Sequence, residues 1–345
     1  MSHSWTLKSL ETHNLVREVV GGTIPILLPH TIHDDWEGNT KTGKDLQNKH
    51  NLQTATTTNI TTSSNVDLFN QLPIGEGHSK VYSGLWKQGM VAIKKFNYSQ
   101  FQSFKDECRI HSQLCHPNIL TYIDAIECHD RKCYCIITEK MDCSLELFMK
   151  SNPNIFISNP SLMLHFCLEI AKGMKYLHDC LPEKEPILHR DLSMKNILLK
   201  GPSLKIADYG LSLFEKEQPQ TLFSDVSFLK YQAQEIKMNT GTYSKKSDVY
   251  AFGIIFHEFL TYHGVVDNDI NMMHYVSNET LVAPLWASKE SASILLKCVD
   301  KEPSKRPTFQ EIIDHFEEMD QHMISPFVPN TQPINFDGFF NAMHE

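Results

Sequence analysis

The side-chain pattern of the chain changes partway along, and this change limits the fold more than any other feature. The segments VYSGLW, MVAIKKF and CYCIITE carry the β-branched and aromatic side chains that are typical of strands. A later segment, PSLMLHFCLEIAKGMKYLH, repeats apolar residues every three or four positions, which predicts an amphipathic helix. The apolar positions of this helix are Leu162, Phe166, Ile170, Met174 and Leu177. The sequence therefore predicts an α+β fold in which a small sheet domain precedes a helical one, without an internal repeat.

Polar segments flank this region on both sides. Residues 1–66 end in QTATTTNITTSSN, which contains six Thr and two Ser. Such a segment buries too little apolar surface to offset its ordering entropy, so we predict a disordered tail that is either a spacer or a phosphorylated regulatory segment. Residues 322–345 form a second tail, which either docks on the domain or a partner or is disordered. The folded domain is predicted to span residues 67–321.

Composition excludes several classes of protein. The chain has 41 acidic and 32 basic side chains, and this formal charge of −9 argues against binding to a nucleic-acid backbone. No apolar run reaches the roughly 18 residues that a membrane span needs, and the N-terminus lacks the pattern of a signal or transit peptide. Nine cysteines, an odd number without Cys-x-x-Cys spacing, suggest neither a disulfide framework nor a zinc site. The cytosol is the expected location, with the nucleus as the alternative.

Four motifs follow one another within the predicted domain. The first is a glycine-rich turn, IGEGHSKV at 74–81, where the backbone can approach phosphates closely. VAIK ends at Lys94, HRDLSMKN occupies 189–196, and Asp208 of ADYG lies twelve residues beyond Asn196. In this order and spacing the chain resembles the eukaryotic protein kinases, specifically their tyrosine-kinase and tyrosine-kinase-like branch.

This resemblance implies a two-lobed fold. The N-lobe, about 67–140, would contain an antiparallel sheet and the αC helix, and the mainly helical C-lobe would cover about 144–321. FKDECRIHSQLCHPNIL resembles αC, which makes Glu107 the partner of Lys94. KYQAQE and KRP resemble the family's APE and Arg motifs, and SDVYAFG its central αF helix. These last matches imply a Glu235–Arg306 ion pair and set Asp248 apart from the other residues of αF, which are interpreted as core.

The resemblance also implies the site. Lys94 would orient the α and β phosphates of ATP, while Asn196 and Asp208 would hold Mg²⁺, with Mn²⁺ as an alternative. Asp191 would accept or steer the proton of the attacking hydroxyl. The catalytic residues so implied are Asp191, Lys94, Glu107, Arg190 and Lys195. The ATP-binding residues so implied are Ile74, Gly75, Glu76, Gly77, Val81, Ala92, Lys94, Thr138, Glu139, Met141 and Leu198.

Several positions depart from the family pattern. Ser79 and Lys80 replace the aromatic tip and third glycine of the phosphate loop, and Gln234 replaces the proline of APE. By position, four side chains would form the stack that links the two lobes: His111, Tyr122, His189 and Tyr209. His111 stands where an aliphatic residue is usual, and our hypothesis is that a neutral His111 bonds a neighbouring hydroxyl of this stack.

The sequence leaves the acceptor hydroxyl open. Ser193 and Phe228 occupy positions where Ser/Thr kinases have Lys and Thr, whereas Lys195 and Lys230 resemble residues of receptor-type tyrosine kinases. A phosphate on the activation segment, which the resemblance places at residues 208–235, would meet Arg190 after its addition by an upstream kinase or by the protein itself. The candidate acceptor sites there are Thr221, Ser224, Ser227 and Tyr231. The alternative function is a pseudokinase scaffold; a lipid or small-molecule kinase is disfavoured by the protein-kinase-like activation segment.

Overall fold

The first part of the chain forms a seven-stranded sheet in the computed structural model. The strands are β1 (Thr61–Thr62), β2 (Asp67–Leu68), β3 (Gly75–Glu76), β4 (Lys80–Trp86), β5 (Gly89–Asn97), β6 (Tyr122–Cys128) and β7 (Cys133–Glu139). Their order is β1-β6-β7-β5-β4-β2, with β3 added to β4, and every pair is antiparallel except β1 with β6. The structure describes residues 61–62, 67–68, 73–76, 80–87, 89–179, 185–217, 229–261, 283–285 and 287–323.

The two faces of this sheet carry different sets of packed side chains. On one face, helix α1 (Phe101–His111) packs against β5 and β7 and buries Phe104 and Cys108 with Phe96. Because side chains alternate along a strand, Lys94 and Phe96 of β5 share this face. The opposite face carries a separate apolar cluster built around Trp86 and Ile93. Lys94 therefore extends from a rigid central strand on the side that faces α1.

Helices dominate the remainder of the described chain. They are α2 (Leu145–Ser151), α3 (Ile155–Ser158), α4 (Pro160–Asp179), α5 (Gln234–Lys237), α6 (Lys245–Thr261), α7 (Lys289–Cys298) and α8 (Phe309–Met323). Nearly every side chain of α6 is buried, as expected for a helix that is apolar all round. Phe252 and Phe256 of α6 contact Phe316 of α8 with edge-to-face geometry at centroid distances of 6.2 and 5.3 Å. This two-lobed α+β architecture is the fold that the sequence predicted.

Short strands between the lobes position the loops that carry the motifs. Strands β8 (Cys143–Ser144), β10 (Ile197–Lys200) and β11 (Ser203–Ile206) form one small sheet, and β9 (Ile187–Leu188) pairs with β12 (Leu213–Phe214). The HRD motif follows β9, and Asp208 lies two residues beyond β11. Both loops are thus anchored at each end by backbone hydrogen bonds to other strands.

The predicted tails lie mostly outside the described residues. Thr61–Thr62 is an exception, because this part of the predicted N-terminal tail pairs in parallel with Ile126–Glu127 of β6. At the other end, α8 continues to Met323. Among the described residues, no helix combines the length and apolarity needed to cross a membrane.

Candidate active site

Three charged side chains meet at the junction of the two lobes. The Lys94 ammonium lies 2.8 Å from both carboxylate oxygens of Glu107 on α1 and 2.8 Å from Oδ1 of Asp208 in the C-lobe. Burial lowers the pKa of Lys94, but the two carboxylates outweigh burial and raise it above its ordinary value. The lysine is therefore held as a fixed cation between a helix, a strand and the loop after β11.

The two carboxylates of this triad differ in their protonation equilibria. Burial, together with the charge of Asp208, raises the pKa of Glu107 to about 7, and Lys94 opposes this rise. Burial also raises the pKa of Asp208, but the charge and hydrogen bond of Lys94 outweigh burial and leave that pKa below its ordinary value. Asp208 is therefore the more strongly ionised carboxylate, which suits an oxygen ligand for a metal cation.

The backbone around Asp208 is left-handed and tightly packed. Asp208 has a φ of 65°, a conformation that L-residues rarely adopt, and the Gly210 N–H donates to its Oδ1 at 3.2 Å. A Cβ on Gly210 would lie 3.0 Å from Oε2 of Glu107 and 3.3 Å from Oδ1 of Asp208. Glycine at this position therefore leaves room for the charged triad.

Asp191 and Asn196 form a second pair beside this triad. The Asn196 side-chain amide donates to the backbone oxygen of Asp191 at 2.8 Å and to its Oδ2 at 2.7 Å. Burial and the charge of Asp208 raise the pKa of Asp191 to about 7, against opposing effects of Asn196, Lys94 and Lys195. Lys195 itself is exposed on the short 3-10 turn Met194–Asn196. A carboxylate with a pKa near neutrality can exchange a proton at physiological pH.

A fully buried carboxylate organises the loop that carries Asp191. Asp248, in the first turn of α6, accepts hydrogen bonds from the backbone N–H groups of His189 and Arg190, each at 3.0 Å. The Tyr243 hydroxyl and His178 Nε2 donate to the same carboxylate, each at 2.8 Å. Burial raises the pKa of Asp248, but the hydrogen bond and charge of His178, together with the backbone hydrogen bond from Arg190, outweigh burial and lower it. The sequence singled out Asp248 within an otherwise apolar helix but gave no indication of its partner His178.

Four rings stack between the lobes, as their positions in the sequence suggested. Ring centroids are 5.5 Å apart for His111 and Tyr122, 4.6 Å for His111 and Tyr209, and 5.5 Å for His189 and Tyr209. The hypothesis that His111 bonds a hydroxyl of the stack is wrong, because its Nε2–H donates to the backbone oxygen of Leu120 at 2.7 Å. A backbone carbonyl nine residues further along the chain accepts the hydrogen bond of the ring instead. Burial lowers the pKa of His111 to about 4, so the ring is neutral as expected.

The predicted phosphate loop is described in part. Strand β3, Gly75–Glu76, pairs with the start of β4, and the Ile74 N–H donates to the Val81 oxygen at 2.8 Å. Ile74 is half exposed. Ala92 of β5 lies opposite Thr138 of β7, on the same face as Lys94. Gly77 and Ser79 lie outside the described residues.

The connection between the lobes carries the remaining predicted ATP contacts. Thr138 is buried, and its hydroxyl donates to the Glu139 backbone oxygen at 3.2 Å. The Glu139 N–H donates to the Thr121 oxygen at 3.2 Å. Met141 and the partly buried Leu198 pack in one small apolar cluster. The Glu139 N–H thus already has a partner within the protein, and Met141 and Leu198 supply apolar surface next to the connection.

Two ion pairs fix the end of the activation segment. Glu235 and Arg306 pair through two parallel hydrogen bonds of 2.8 Å, and the guanidinium is fully buried. Gln234 begins α5 beside this pair without disrupting it. Tyr231 is half buried, and its hydroxyl donates to Glu258 at 2.8 Å; Lys230 pairs with the same carboxylate. Three other proposed phosphorylation sites and the specificity position 228 lie outside the described residues: Thr221, Ser224, Ser227 and Phe228.

The structure also joins α1 to the start of the activation segment. Both terminal nitrogens of Arg109 donate to the carboxylate of Glu217, at 3.0 and 2.7 Å. The same guanidinium lies 4.9 Å from the centroid of the Phe214 ring. Sequence reasoning missed this contact, because the two residues are 108 positions apart and neither belongs to a recognised motif.

Arg190 of the HRD motif has a distinct environment. Its φ is 67°, and its guanidinium donates to the Leu211 oxygen at 3.3 Å and lies 5.7 Å from the Tyr243 ring centroid. Its Nε is buried without a hydrogen-bond partner among the described residues. Burial lowers the pKa of Arg190, while Tyr243 and Asp248 oppose this change. An anion beside Arg190 would therefore satisfy a buried donor.

Together, the two-lobed fold and the lysine–glutamate–aspartate triad define a protein kinase domain. A family model described as protein tyrosine and serine/threonine kinase matches residues 69–316. The chain therefore belongs to the protein tyrosine and serine/threonine kinase family.

Similar proteins carry kinase names. The dual specificity protein kinase splA of Dictyostelium discoideum is 36% identical over 289 residues, which is 75% of this chain and 12% of that protein. The serine/threonine/tyrosine-protein kinase HT1 of Arabidopsis thaliana is 31% identical over 259 residues, covering 71% of this chain and 64% of that protein. Mitogen-activated protein kinase kinase kinase 11 of Homo sapiens is 28% identical, and the match covers 72% of this chain and 30% of that protein. The chain thus matches less than two thirds of the length of each of these relatives.

Proposed function

We propose that the protein is a catalytically active kinase that transfers the γ-phosphoryl group of Mg-ATP to a Ser/Thr or Tyr hydroxyl of a protein. The observation that carries this proposal is the Lys94 ammonium, held 2.8 Å from the carboxylates of both Glu107 and Asp208. Phosphoryl transfer depends mainly on placement and charge compensation, so a fixed cation of this kind is the central requirement. The departures at Lys80 and Gln234 involve none of these three residues.

The donor set fits a hard divalent cation. The Asp208 carboxylate and the Asn196 amide offer oxygen ligands, which Mg²⁺ prefers, with Mn²⁺ as an alternative. A cation held by these residues would supply charge neutralisation for the phosphates of ATP. Asn196 also bonds Asp191, so it would hold the metal ligand set and the proposed proton acceptor in register.

Asp191 is the proposed acceptor of the substrate proton. Its pKa, raised by burial to about 7, places half of the carboxyl groups in the basic form near neutral pH. Lys195, four residues later, lowers that pKa through its charge and would face the transferred phosphoryl group. Lys94 and Ala92 would lie under the phosphates and the adenine, with Ile74, Val81 and Leu198 enclosing the base.

The acceptor class follows from the relatives only in broad terms. Proteins named as dual specificity, serine/threonine/tyrosine and tyrosine kinases are among those similar to this chain. We therefore propose that the acceptor is a hydroxyl group of a protein rather than of a lipid or a small molecule. Substrates with Ser, Thr and Tyr hydroxyls are all to be tested. Phosphate on the activation segment, from an upstream kinase or from the protein itself, would pair with Arg190.

One assay tests the proposal. The purified chain is incubated with labelled Mg-ATP and a mixed peptide substrate, in parallel with Lys94→Met, Asp208→Asn and the control Lys95→Met. Lys95 is next in sequence but faces the other side of the sheet, so its loss should preserve turnover. We expect incorporation in the wild type and control and none in the other two variants. Phosphoamino-acid analysis of the product then identifies Ser, Thr or Tyr.

The pseudokinase alternative predicts a different result. Equal, background incorporation in wild type and both site variants, with Mg²⁺ and with Mn²⁺ and after treatment with candidate activating kinases, would overturn the proposal. Nucleotide binding is measured separately by the thermal shift that Mg-ATP produces. A shift without turnover would identify a nucleotide-binding scaffold.

A further inference from the structure

Three cysteine thiols meet at the end of the β6–β7 hairpin. Cys128 ends β6 and lies opposite Cys133, the first residue of β7, and Cys135 follows two positions later on the same face. The three sulfur atoms all lie within 4.8 Å of one another, and Cys128 Sγ is 4.0 Å from Cys135 Sγ. Each of the three residues is at most 1% exposed. Strand register, rather than a Cys-x-x-Cys spacing, brings these thiols together.

The surroundings of the thiols favour a soft cation over a hard one. The cluster is enclosed by the apolar side chains of Trp86, Ile93, Ile126 and Ile137 on the sheet face opposite Lys94. In the described part of the chain, no imidazole or carboxylate joins the three sulfur atoms. Thiolates select soft metals such as Cu(I), whereas protein zinc sites are almost always four-coordinate. A three-sulfur site in an apolar pocket is thus matched to a soft ion that accepts three ligands.

We propose that Cys128, Cys133 and Cys135 form a three-coordinate binding site for a soft monovalent cation, Cu(I). In a planar three-coordinate site with metal–sulfur bonds of about 2.3 Å, the sulfur atoms are about 4.0 Å apart. The observed separation of Cys128 and Cys135 is 4.0 Å. One of the three separations therefore already matches that of the bound state, and the other two do not exceed 4.8 Å, so little reorganisation of the hairpin is needed.

The charge of the site is partly compensated by its neighbours. Binding of one Cu⁺ to three thiols forms three metal–sulfur bonds, releases three protons and leaves a charge of −2 on the site. Lys95 lies opposite Cys135 in the sheet. The positive charge of Lys95 therefore offsets part of the negative charge of the bound state.

An exposed turn joins the two strands that carry the thiols. Cys128 and Cys133 flank residues His129–Lys132, of which His129–Arg131 form a short 3-10 helix and Lys132 adopts a left-handed φ of 49°. His129 is exposed. Metal bound at this end of the hairpin would tie β6 to β7. The site lies on the opposite face of the sheet from the proposed catalytic centre, so the inference does not depend on kinase activity.

An anaerobic titration with Cu(I) tests the inference. The full chain, freed of reductant and metals, competes for Cu(I) with bicinchoninate, and retained copper is counted by inductively coupled plasma mass spectrometry. We expect one equivalent in the wild type and in Cys115→Ser, which removes an exposed thiol outside the cluster. We expect at least a tenfold loss of retained copper in Cys133→Ser and in Cys135→Ser. Copper–thiolate luminescence should follow the same order.

Separate measurements distinguish copper binding from unfolding, zinc binding and thiol oxidation. Circular dichroism of the metal-free variants reports folding; if Cys133→Ser unfolds, the comparison of Cys135→Ser with Cys115→Ser decides. Retention of equal copper by wild type and the folded cluster variants would overturn the inference. So would one tightly bound equivalent of Zn(II) in place of Cu(I). A Cys128–Cys133 disulfide as the sole product, detected by mass spectrometry after alkylation, would overturn it too.

Discussion

His111 occupies the point where α1, the sheet and the C-lobe meet. Its Nε2–H donates to the Leu120 oxygen at 2.7 Å, and its Nδ1 is buried without a hydrogen-bond partner among the described residues. Protonation would place a second N–H at Nδ1, where no acceptor lies among those residues, next to the rings of Tyr122 and Tyr209. The fold therefore favours the neutral imidazole at a contact between the lobes.

The free energy of unfolding should consequently fall as the solution becomes acidic. The pKa of His111 is about 4 in the folded protein and 6.5 in its reference state, so between these values the unfolded chain binds more protons. Stability is retained above pH 6.5 and is lost as pH falls toward 4. His111→Leu should remove about 2 kcal/mol of the stability difference between pH 7 and pH 5. Urea unfolding at pH 7 and at pH 5 measures this difference. If the wild type and the variant lose the same unfolding free energy between the two pH values, the prediction is wrong.

Gly210 is a second residue whose identity follows from its surroundings. Gly210→Ala would place a methyl group 3.0 Å from Oε2 of Glu107 and 3.3 Å from Oδ1 of Asp208. The triad must then shift, and a displacement of this kind costs roughly a hundredfold in kcat. Gly89→Ala is the control, since its methyl would meet only the Trp86 oxygen at 3.6 Å. Peptide kinase assays and melting curves compare the two, and unchanged kcat in Gly210→Ala would refute the steric argument.

At the scale of elements, α1 is held from two directions. Glu107 connects it to β5 through Lys94, and Arg109 connects it to the segment after β12 through Glu217. These residues are two positions apart on the helix, so rotation or withdrawal of α1 would strain both contacts. The conformation of the activation segment is thereby coupled to the position of Glu107.

Loss of the Arg109–Glu217 pair should lower activity. The pair is partly exposed and bidentate, which is worth about 1 kcal/mol, and this corresponds to about a fivefold fall in kcat/KM for Arg109→Gln. The reciprocal exchange Arg109→Glu with Glu217→Arg should restore much of the loss, which a purely local packing defect would not allow. Kinase assays at low and high salt provide the measurement. If the activity of the double exchange does not exceed that of Arg109→Glu alone or Glu217→Arg alone, an electrostatic contact between the two residues is excluded.

The long elements and the contact between Lys94 and Glu107 could be predicted from the sequence, because period and motif spacing are local signals. The helical period from Leu162 to Leu177 falls within α4, and VYSGLW falls within β4. The strands of two to four residues around the catalytic loop could not be predicted, since only tertiary pairing stabilises them. The same holds for the partner of His111 and for the cysteine cluster, which depends on the β6–β7 register. Left-handed backbone at Asp208 likewise has no local sequence signal.

At the scale of the whole molecule, the contacts between the lobes converge on Asp208 and Tyr209. Asp208 receives the N-lobe lysine, and Tyr209 packs between His111 of the N-lobe and His189 of the C-lobe. The Asp248 carboxylate accepts hydrogen bonds from the backbone N–H groups of His189 and Arg190 and so fixes this part of the chain. The C-lobe is the rigid support, because its helices share one large apolar core. Substitutions in the C-lobe should therefore lower the free energy of unfolding more strongly than they lower the rate of phosphoryl transfer.

The Glu235–Arg306 pair is the clearest case of such support. This pair joins α5 to the loop before α8. The Arg306 guanidinium also donates to two backbone oxygens, that of Asp300 at 2.8 Å and that of Lys246 at 3.0 Å. Breaking a buried pair leaves an uncompensated charge, so Arg306→Met should destabilise the protein by about 3–5 kcal/mol. Urea unfolding gives the value.

The double variant Glu235→Leu/Arg306→Met distinguishes lost charge pairing from lost packing. Both charges are then absent, so the double variant should be more stable than Arg306→Met alone, although the backbone acceptors of the guanidinium stay unpaired. Lys150→Ala, which breaks the exposed pair with Glu146, is the control and should cost less than about 0.5 kcal/mol. If the loss of unfolding free energy in the double variant equals the sum of the losses in Glu235→Leu and Arg306→Met, the two residues do not act as a unit. In that case Arg306 stabilises the C-lobe through its backbone hydrogen bonds and its contact with Tyr250.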